Sequence, residues 1–286
     1  MTFDGTSTVT NSSSAAASFA AVAISGTATL GYNLTMTSNS GAGTLNLGAG
    51  SYTLTLTGTG TPLAVTTFQK GTGSMVMYTG STIATTIAAV QYNTLILAPT
   101  LTTTYSLAAA LDTLNSRNLT GNLIIDNLAT LTTTASNYNL DCVNLTIASG
   151  GTLTANASTF TVSGNWDVSA GAFTRGTSTV TLTGSAASVN LGAAYYNVPF
   201  YILNFPSSGT TTTTLSSSIS VVNVSLGNST NTITSAFKVM EVWSSGTPVT
   251  NNNAIVTNTT IIYVASSATN VAAGNSYYGI DLRSSG

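Results

Sequence analysis

Very few side chains in this sequence could carry acid–base chemistry. The carboxylates are Asp4, Asp112, Asp126, Asp141, Asp167, Glu241 and Asp281, the cations are Lys70, Lys238, Arg117, Arg175 and Arg283, and there is no histidine. Histidine-based proton transfer is excluded, and an imidazole-ligated metal site with it. A glycan-cleaving site needs two or three carboxylates converging on one face. Asp126, Asp141 and Asp167 form the one local group, at spacings of 15 and 26 residues, and stacked coils could bring them to one side. Each also has a plainer reading. Asp126 precedes Asn127 in a turn dipeptide and Asp167 follows Trp166 at another turn, so both are expected to be solvated turn residues. Cys142, in Asp141-Cys142-Val143-Asn144-Leu145, has no base to activate it and reads as a small buried hydrophobe. The sequence therefore predicts no enzyme, no catalytic set, no metal site and no cofactor.

Two tryptophans could contact a ligand without catalysis. Trp166 and Trp243 could offer flat faces for stacking on a glycan ring, or could each cover an edge of the core. Lys70 and Arg175 each follow an aromatic at the same repeat phase and are expected in exposed turns. Eight Asn-x-Ser/Thr sequons occur, which is what 26 Asn in a chain one-third Ser and Thr gives by chance. Gly150-Gly151 is the single Gly-Gly pair and no acid follows it in phase, so calcium-binding nonapeptide repeats are absent.

The elements that must position these residues have an unusual composition. Of 286 residues 56 are Thr and 37 are Ser, charged residues are 4% and hydrophobic residues 43%. With a net charge of −2 there is no basic stripe to face phosphate, so no nucleic-acid partner is expected. The apolar content argues against a disordered chain. The longest run of small apolar residues, Ala15 to Ile24, is interrupted by Ser18 and too short to span a bilayer. The segment after Met1 lacks the basic and apolar regions of a secretory signal.

Period-two alternation dominates. Tyr52-Thr53-Leu54-Thr55-Leu56-Thr57, Phe160-Thr161-Val162-Ser163 and Val180-Thr181-Leu182-Thr183 each present one apolar and one hydroxyl face. Such segments return about every ten residues, separated by Gly, Ser, Asn and Thr. The predicted core includes Leu54, Leu56, Phe160, Val162, Val180, Leu182 and Ile202. The stretch Leu107 to Leu114 (LAAALDTL) could pass for a helix but reads as strand by its place in the repeat, so no helix is expected.

Longer repeats overlie this pattern. Gly-Thr-Ser-Thr-Val-Thr occurs at Gly5 to Thr10 and again at Gly176 to Thr181, with a degenerate copy from Gly71; Phe3, Phe68 and Phe173 precede the copies. The steps Tyr92-Asn93 and Tyr196-Asn197 follow the later two. Degenerate units of about 100 residues result, approximately 1–67, 68–172 and 173–286, in one continuous array whose two ends fall inside a repeat. Strands this short, with no charged or Pro-rich linker, predict an all-β parallel β-helix, a solenoid with coils of about 20–25 residues; the alternative is a tandem series of β-sandwich domains.

The hexapeptide copies, the run Leu145-Thr146-Ile147-Ala148-Ser149-Gly150-Gly151-Thr152-Leu153-Thr154, the step Ser163-Gly164-Asn165-Trp166 and the Tyr-Asn steps resemble the repetitive β-helical regions of bacteriophage fibre or decoration proteins and of bacterial surface adhesins. That resemblance implies a structural or adhesive role at a virion surface or outside a cell, and carries no catalytic motif. Low charge leaves little repulsion between copies and little sensitivity to salt. We therefore expect a non-enzymatic structural component of a surface assembly (fibre, filament or decoration protein). Its expected partners are copies of itself or other subunits, with a host-surface glycan also possible and no membrane span. The alternatives are an adhesin passenger and a carbohydrate-binding or carbohydrate-cleaving β-helix. Since no charged or helical cap is visible at either end, the end coils are expected to be covered by another subunit, an anchoring partner or further repeats.

Overall fold

The computed structural model describes residues 2–284 except 4–5, 10–16, 25–26, 31–33, 41–42, 82–83, 193–199, 206–208, 266–268 and 272–277. The described residues form short strands joined by turns, with no α-helix, and the chain is a parallel β-solenoid. It forms two compact bodies, Met1–Cys142 with Ala148–Leu153, and Val143–Ile147 with Thr154–Gly286.

In the first body each coil lays its strand beside the equivalent strand one turn on. Leu34, Leu54, Val76, Leu95 and Leu123 are stacked parallel partners, and Met36, Leu56, Tyr78, Leu97 and Ile125 form a second column two residues along. All ten side chains are buried. The rungs return after 20, 22 and 19 residues, then after 28. A second sheet carries Thr85–Ile87, Thr103–Leu107 and Ala129–Thr132, and a third carries Thr6–Val9, Thr27–Leu30, Thr44–Asn46 and Thr67–Gln69. Parallel neighbours one coil away exclude tandem antiparallel sandwiches. Thr suits the outward positions because a β-branched side chain fits the pleat and its hydroxyl tolerates solvent.

The long interval after Leu95 holds the stretch read from sequence as strand, and this is a correction. The strand Thr103–Leu107 ends at Leu107, and Ala108 to Leu114 runs through bends and a turn with Leu114 exposed. Asp112 is the cause: its Oδ1 accepts from Asn115 N–H at 2.9 Å and Asn115 Nδ2 at 2.6 Å, and Arg117 N–H donates to its carbonyl at 3.0 Å. An Asp closing its own turn outcompetes the strand.

In the second body Phe160, Val180, Leu203, Val224 and Val249 are stacked partners. Another face carries the columns Ile219–Met240–Ile261–Ile280 and Val221–Val242–Tyr263–Leu282. Six of the seven predicted core residues are buried, and Ile202 is the exception. Leu203 takes the inward place, paired with Val180, while Ile202 pairs with Thr179 on the outer face. The run Phe200-Tyr-Ile-Leu has no polar residue to set the phase, and a shift of one residue exchanges the faces.

Coil spacing is fixed by a motif shorter than the ~100-residue repeat. The strands Thr53–Leu56, Met75–Tyr78 and Thr179–Leu182 each run directly into Thr-Gly. Thr57, Thr79 and Thr183 donate their N–H to the carbonyls of Met36, Leu56 and Val162 on the preceding coil, at 2.8–2.9 Å. At the next position Gly58, Gly80 and Gly184 lie so close to that coil that a Cβ would overlap the carbonyl oxygen of Thr37, Gly58 and Ser163. The obstruction is backbone, which cannot rotate away. Gly80→Ala is therefore expected to lower the unfolding free energy by about 1–3 kcal/mol, measured by urea denaturation; an unchanged midpoint would mean the coils are farther apart than described.

Candidate functional site

The described carboxylates are each engaged locally. Asp126 Oδ1 accepts from Asn127 N–H at 2.8 Å and closes a turn, as its dipeptide suggested. Asp141 Oδ2 accepts from Thr113 N–H at 2.8 Å and Thr113 Oγ1 at 2.6 Å, tying the Asp112 turn to the following coil. Asp167 Oδ1 accepts from Ser169 N–H and Oγ at 3.0 and 2.7 Å. Asp281 pairs with Arg283 at 2.8 Å in solvent, a contact of small energetic weight. Among the described residues no three His, Cys, Asp or Glu side chains gather closely enough to hold a metal ion. Lys70 and Arg175 each directly follow a strand, just before a turn, and are half-buried; the Arg175 guanidinium sits 5.4 Å from the centre of the Tyr201 ring.

Cys142 is buried, and desolvation, reinforced by the charge of Asp141, holds its thiol well above the usual range. A thiol so raised is a poor nucleophile. A more developed polar cluster lies within the core of the first body. Tyr92 Oη donates to the Ala88 carbonyl at 2.8 Å, which leaves Tyr78 as the donor across the 3.1 Å Tyr78–Tyr92 contact. Ala88 N–H in turn donates to Tyr78 Oη at 3.2 Å, and Tyr105 Oη donates to Gly80 O at 3.0 Å. All three rings are fully buried, and burial raises each phenol, that of Tyr78 to about 12. These hydroxyls satisfy backbone groups inside the coil.

The two tryptophans part company. Trp166 is fully buried, with ring centres of Phe173, Phe200 and Phe160 at 5.0, 5.6 and 6.1 Å. It has no face open to a sugar, so it is not a stacking platform. The burial follows from register: Trp166 is partnered by Leu145 and Val189 on adjoining coils, both inward. Phe173, which the repeat matches to Phe68, borders this cluster; both rings are half-buried on strands of the same exposed–intermediate–exposed pattern. Tyr92 is inward, while Tyr196 lies outside the described residues. Trp243 remains at the surface, 38% exposed, donating its Nε1–H to Glu241 Oε2 at 3.1 Å.

Sequence reasoning did not single out two further surface features. At one corner of the second body Phe237, 71% exposed, lies 5.7 Å from the ring of Tyr278, 57% exposed. Phe237 has φ of 56°, a region costly for a bulky side chain, at a register shift between Thr234 and Lys238. Nearby, the strand Gly279–Ser284 pairs with Ile255–Ala265 and, among the described residues, with no other strand. Its Ile280 and Leu282 continue columns buried at every earlier level, yet are 43% and 66% exposed.

The class this fold defines is the parallel β-solenoid repeat protein. Compared with protein-family models, curated proteins and solved structures, the chain matches none of them.

Proposed function

We propose that the protein is a non-enzymatic structural subunit of a virion-surface or extracellular assembly, joined to its neighbours by adding strand to strand. The observation that carries this reading is the rung Gly279–Ser284. Among the described residues no strand lies on its outer edge, and Ile280 and Leu282 continue core columns yet are 43% and 66% exposed. Covering these half-covered side chains would contribute about 1–2 kcal/mol each, beside the main-chain bonds of an added strand. Charge, the usual defence of a free edge, amounts to one Asp–Arg pair on this strand. A chain with only 4% charged residues supports close lateral packing among copies at any ionic strength.

The test is sedimentation velocity with negative-stain imaging, on the full chain and on the double variant Ile280→Asp/Leu282→Asp. The parent chain is expected to form end-joined oligomers that persist in molar salt. The variant is expected to sediment as a monomer with an unchanged unfolding midpoint, because the two positions are already solvent-exposed. A parent chain that stays monomeric at high concentration, or that dissociates on a modest rise in salt, would overturn the reading.

A further inference from the structure

A separate concavity lies on the outer face of the second body, where strands of three successive coils meet a corner loop. It encloses about 170 Å³ and is lined by neutral side chains throughout. Two outward columns build it. In one, Thr181, Asn204, Ser225 and Thr250 stand on successive rungs; in the other, Ile202 and Asn223 follow Thr179. The loop from Trp243 to Pro248 contributes Thr247 and Pro248 to the wall. It is anchored where Val224 N–H donates to the Pro248 carbonyl at 2.8 Å, and Trp243 N–H donates to Val221 O at 2.8 Å.

The hydrogen-bonding capacity here is largely unused by the protein. Asn204 directs its amide N–H to Thr181 Oγ1 at 3.4 Å, and among the described residues nothing donates to its Oδ1. Among the described residues no side chain or backbone group pairs with the amide of Asn223 or the hydroxyls of Ser225 and Thr250, although Asn223 and Ser225 are half-buried. Unpartnered amides and hydroxyls in a concavity are held ready for a ligand that both donates and accepts. Ile202 and Pro248 add apolar surface beside them. Strand geometry sets the polar groups about 4.8 Å apart along a column and about 6.6 Å apart along a strand, the span over which hydroxyls are spread around one sugar ring. With no cation or carboxylate in the lining, an anionic or cationic ligand would find no counter-charge.

We infer that this concavity is a binding site for a neutral polyhydroxylated ring, one unit of an uncharged glycan, held by Asn204, Asn223, Ser225 and Thr250 against Ile202 and Pro248. The site is independent of the strand-addition edge and does not rest on the assembly reading. Binding without cleavage is the role, since no carboxylate lines it.

Saturation-transfer NMR and calorimetry on the full chain would test it, with uncharged oligosaccharides of glucose, galactose and N-acetylglucosamine as probes and sialylated and sulfated oligosaccharides in parallel. At least one uncharged series is expected to bind. Asn223→Ala is expected to weaken that binding tenfold or more at an unchanged unfolding midpoint. Thr250→Lys, which places a long side chain across the mouth from an exposed position, is expected to abolish it, and keeps the test decisive if Asn223→Ala folds poorly. The inference is overturned if no uncharged oligosaccharide binds at millimolar concentration, if both variants bind as the parent does, or if only acidic glycans bind.

Discussion

Trp166→Ala is expected to lower the unfolding free energy by about 3–5 kcal/mol, the range for emptying a large aromatic from a core. The indole is fully buried and meets three phenylalanine rings, two of them edge-on at interplanar angles of 77° and 84°. Such contacts add to the area term. Because the inward columns above and below are Val189 and Leu145 on hydrogen-bonded rungs, the coils cannot close over the vacated volume without losing register. Trp166→Phe should be far milder, about 1–2 kcal/mol, because the buried Nε1–H has no acceptor among the described residues and removing it relieves an unsatisfied donor. Phe173→Ala should also cost less than Trp166→Ala, since that ring is half-buried. Denaturant unfolding of the three variants gives the ranking. Emission supplies a second readout, since Trp166→Ala leaves Trp243, partly exposed, as the one remaining indole and should shift the spectrum to the red. A loss below about 1 kcal/mol for Trp166→Ala would place the ring at an accommodating surface and contradict the packing described.

Much of the fold could be read from the sequence because Thr marks the outer face so consistently. In Thr53-Leu-Thr-Leu and Thr179-Val-Thr-Leu the alternation sets both strand and inward face without ambiguity. Where that marker lapses, the phase is lost, and Ile202 was read inward for this reason. Leu107 to Leu114 was misread because Asp112 acts through its own following backbone, a local effect that repeat position does not report. The 100-residue hexapeptide repeat drew attention from the Thr-Gly step that recurs once per coil at Gly58 and Gly80, where the steric reason becomes visible only when one coil lies on another. Trp166 was a candidate ligand platform because one sequence cannot reveal that residues 160, 173 and 200 surround position 166. The neutral concavity is illegible for a related reason: its lining comes from residues 202, 204, 223–225, 247, 248 and 250, which share no motif and meet only through coil register. The aromatic corner of Phe237 and Tyr278 depends in the same way on a register shift.

Mild alkali should unfold the protein cooperatively between about pH 10 and pH 12, and the cause is the buried tyrosine cluster. Tyr78, Tyr92 and Tyr105 are desolvated together, the first raised to about 12 and the other two also held above the ordinary phenol value. In the unfolded chain the same phenols lose their protons near pH 10. Between those limits the unfolded state binds fewer protons than the folded one, so stability falls as pH rises; below pH 10 the contribution is fully present. Each tyrosine steepens the fall by about 1.4 kcal/mol per pH unit, and three together by about 4 kcal/mol per unit. Two pH units can therefore remove as much as the whole stability of an ordinary domain, about 5–15 kcal/mol. The expected result is a sharp loss of β-sheet circular dichroism coincident with a step in phenolate absorbance. Tyr105→Phe should make that fall shallower by about a third, while losing the bond to Gly80 O at neutral pH. Phenolate absorbance that rises gradually while the circular dichroism stays unchanged would show that solvent reaches these rings without unfolding. The close coil stacking that buries them would then be wrong.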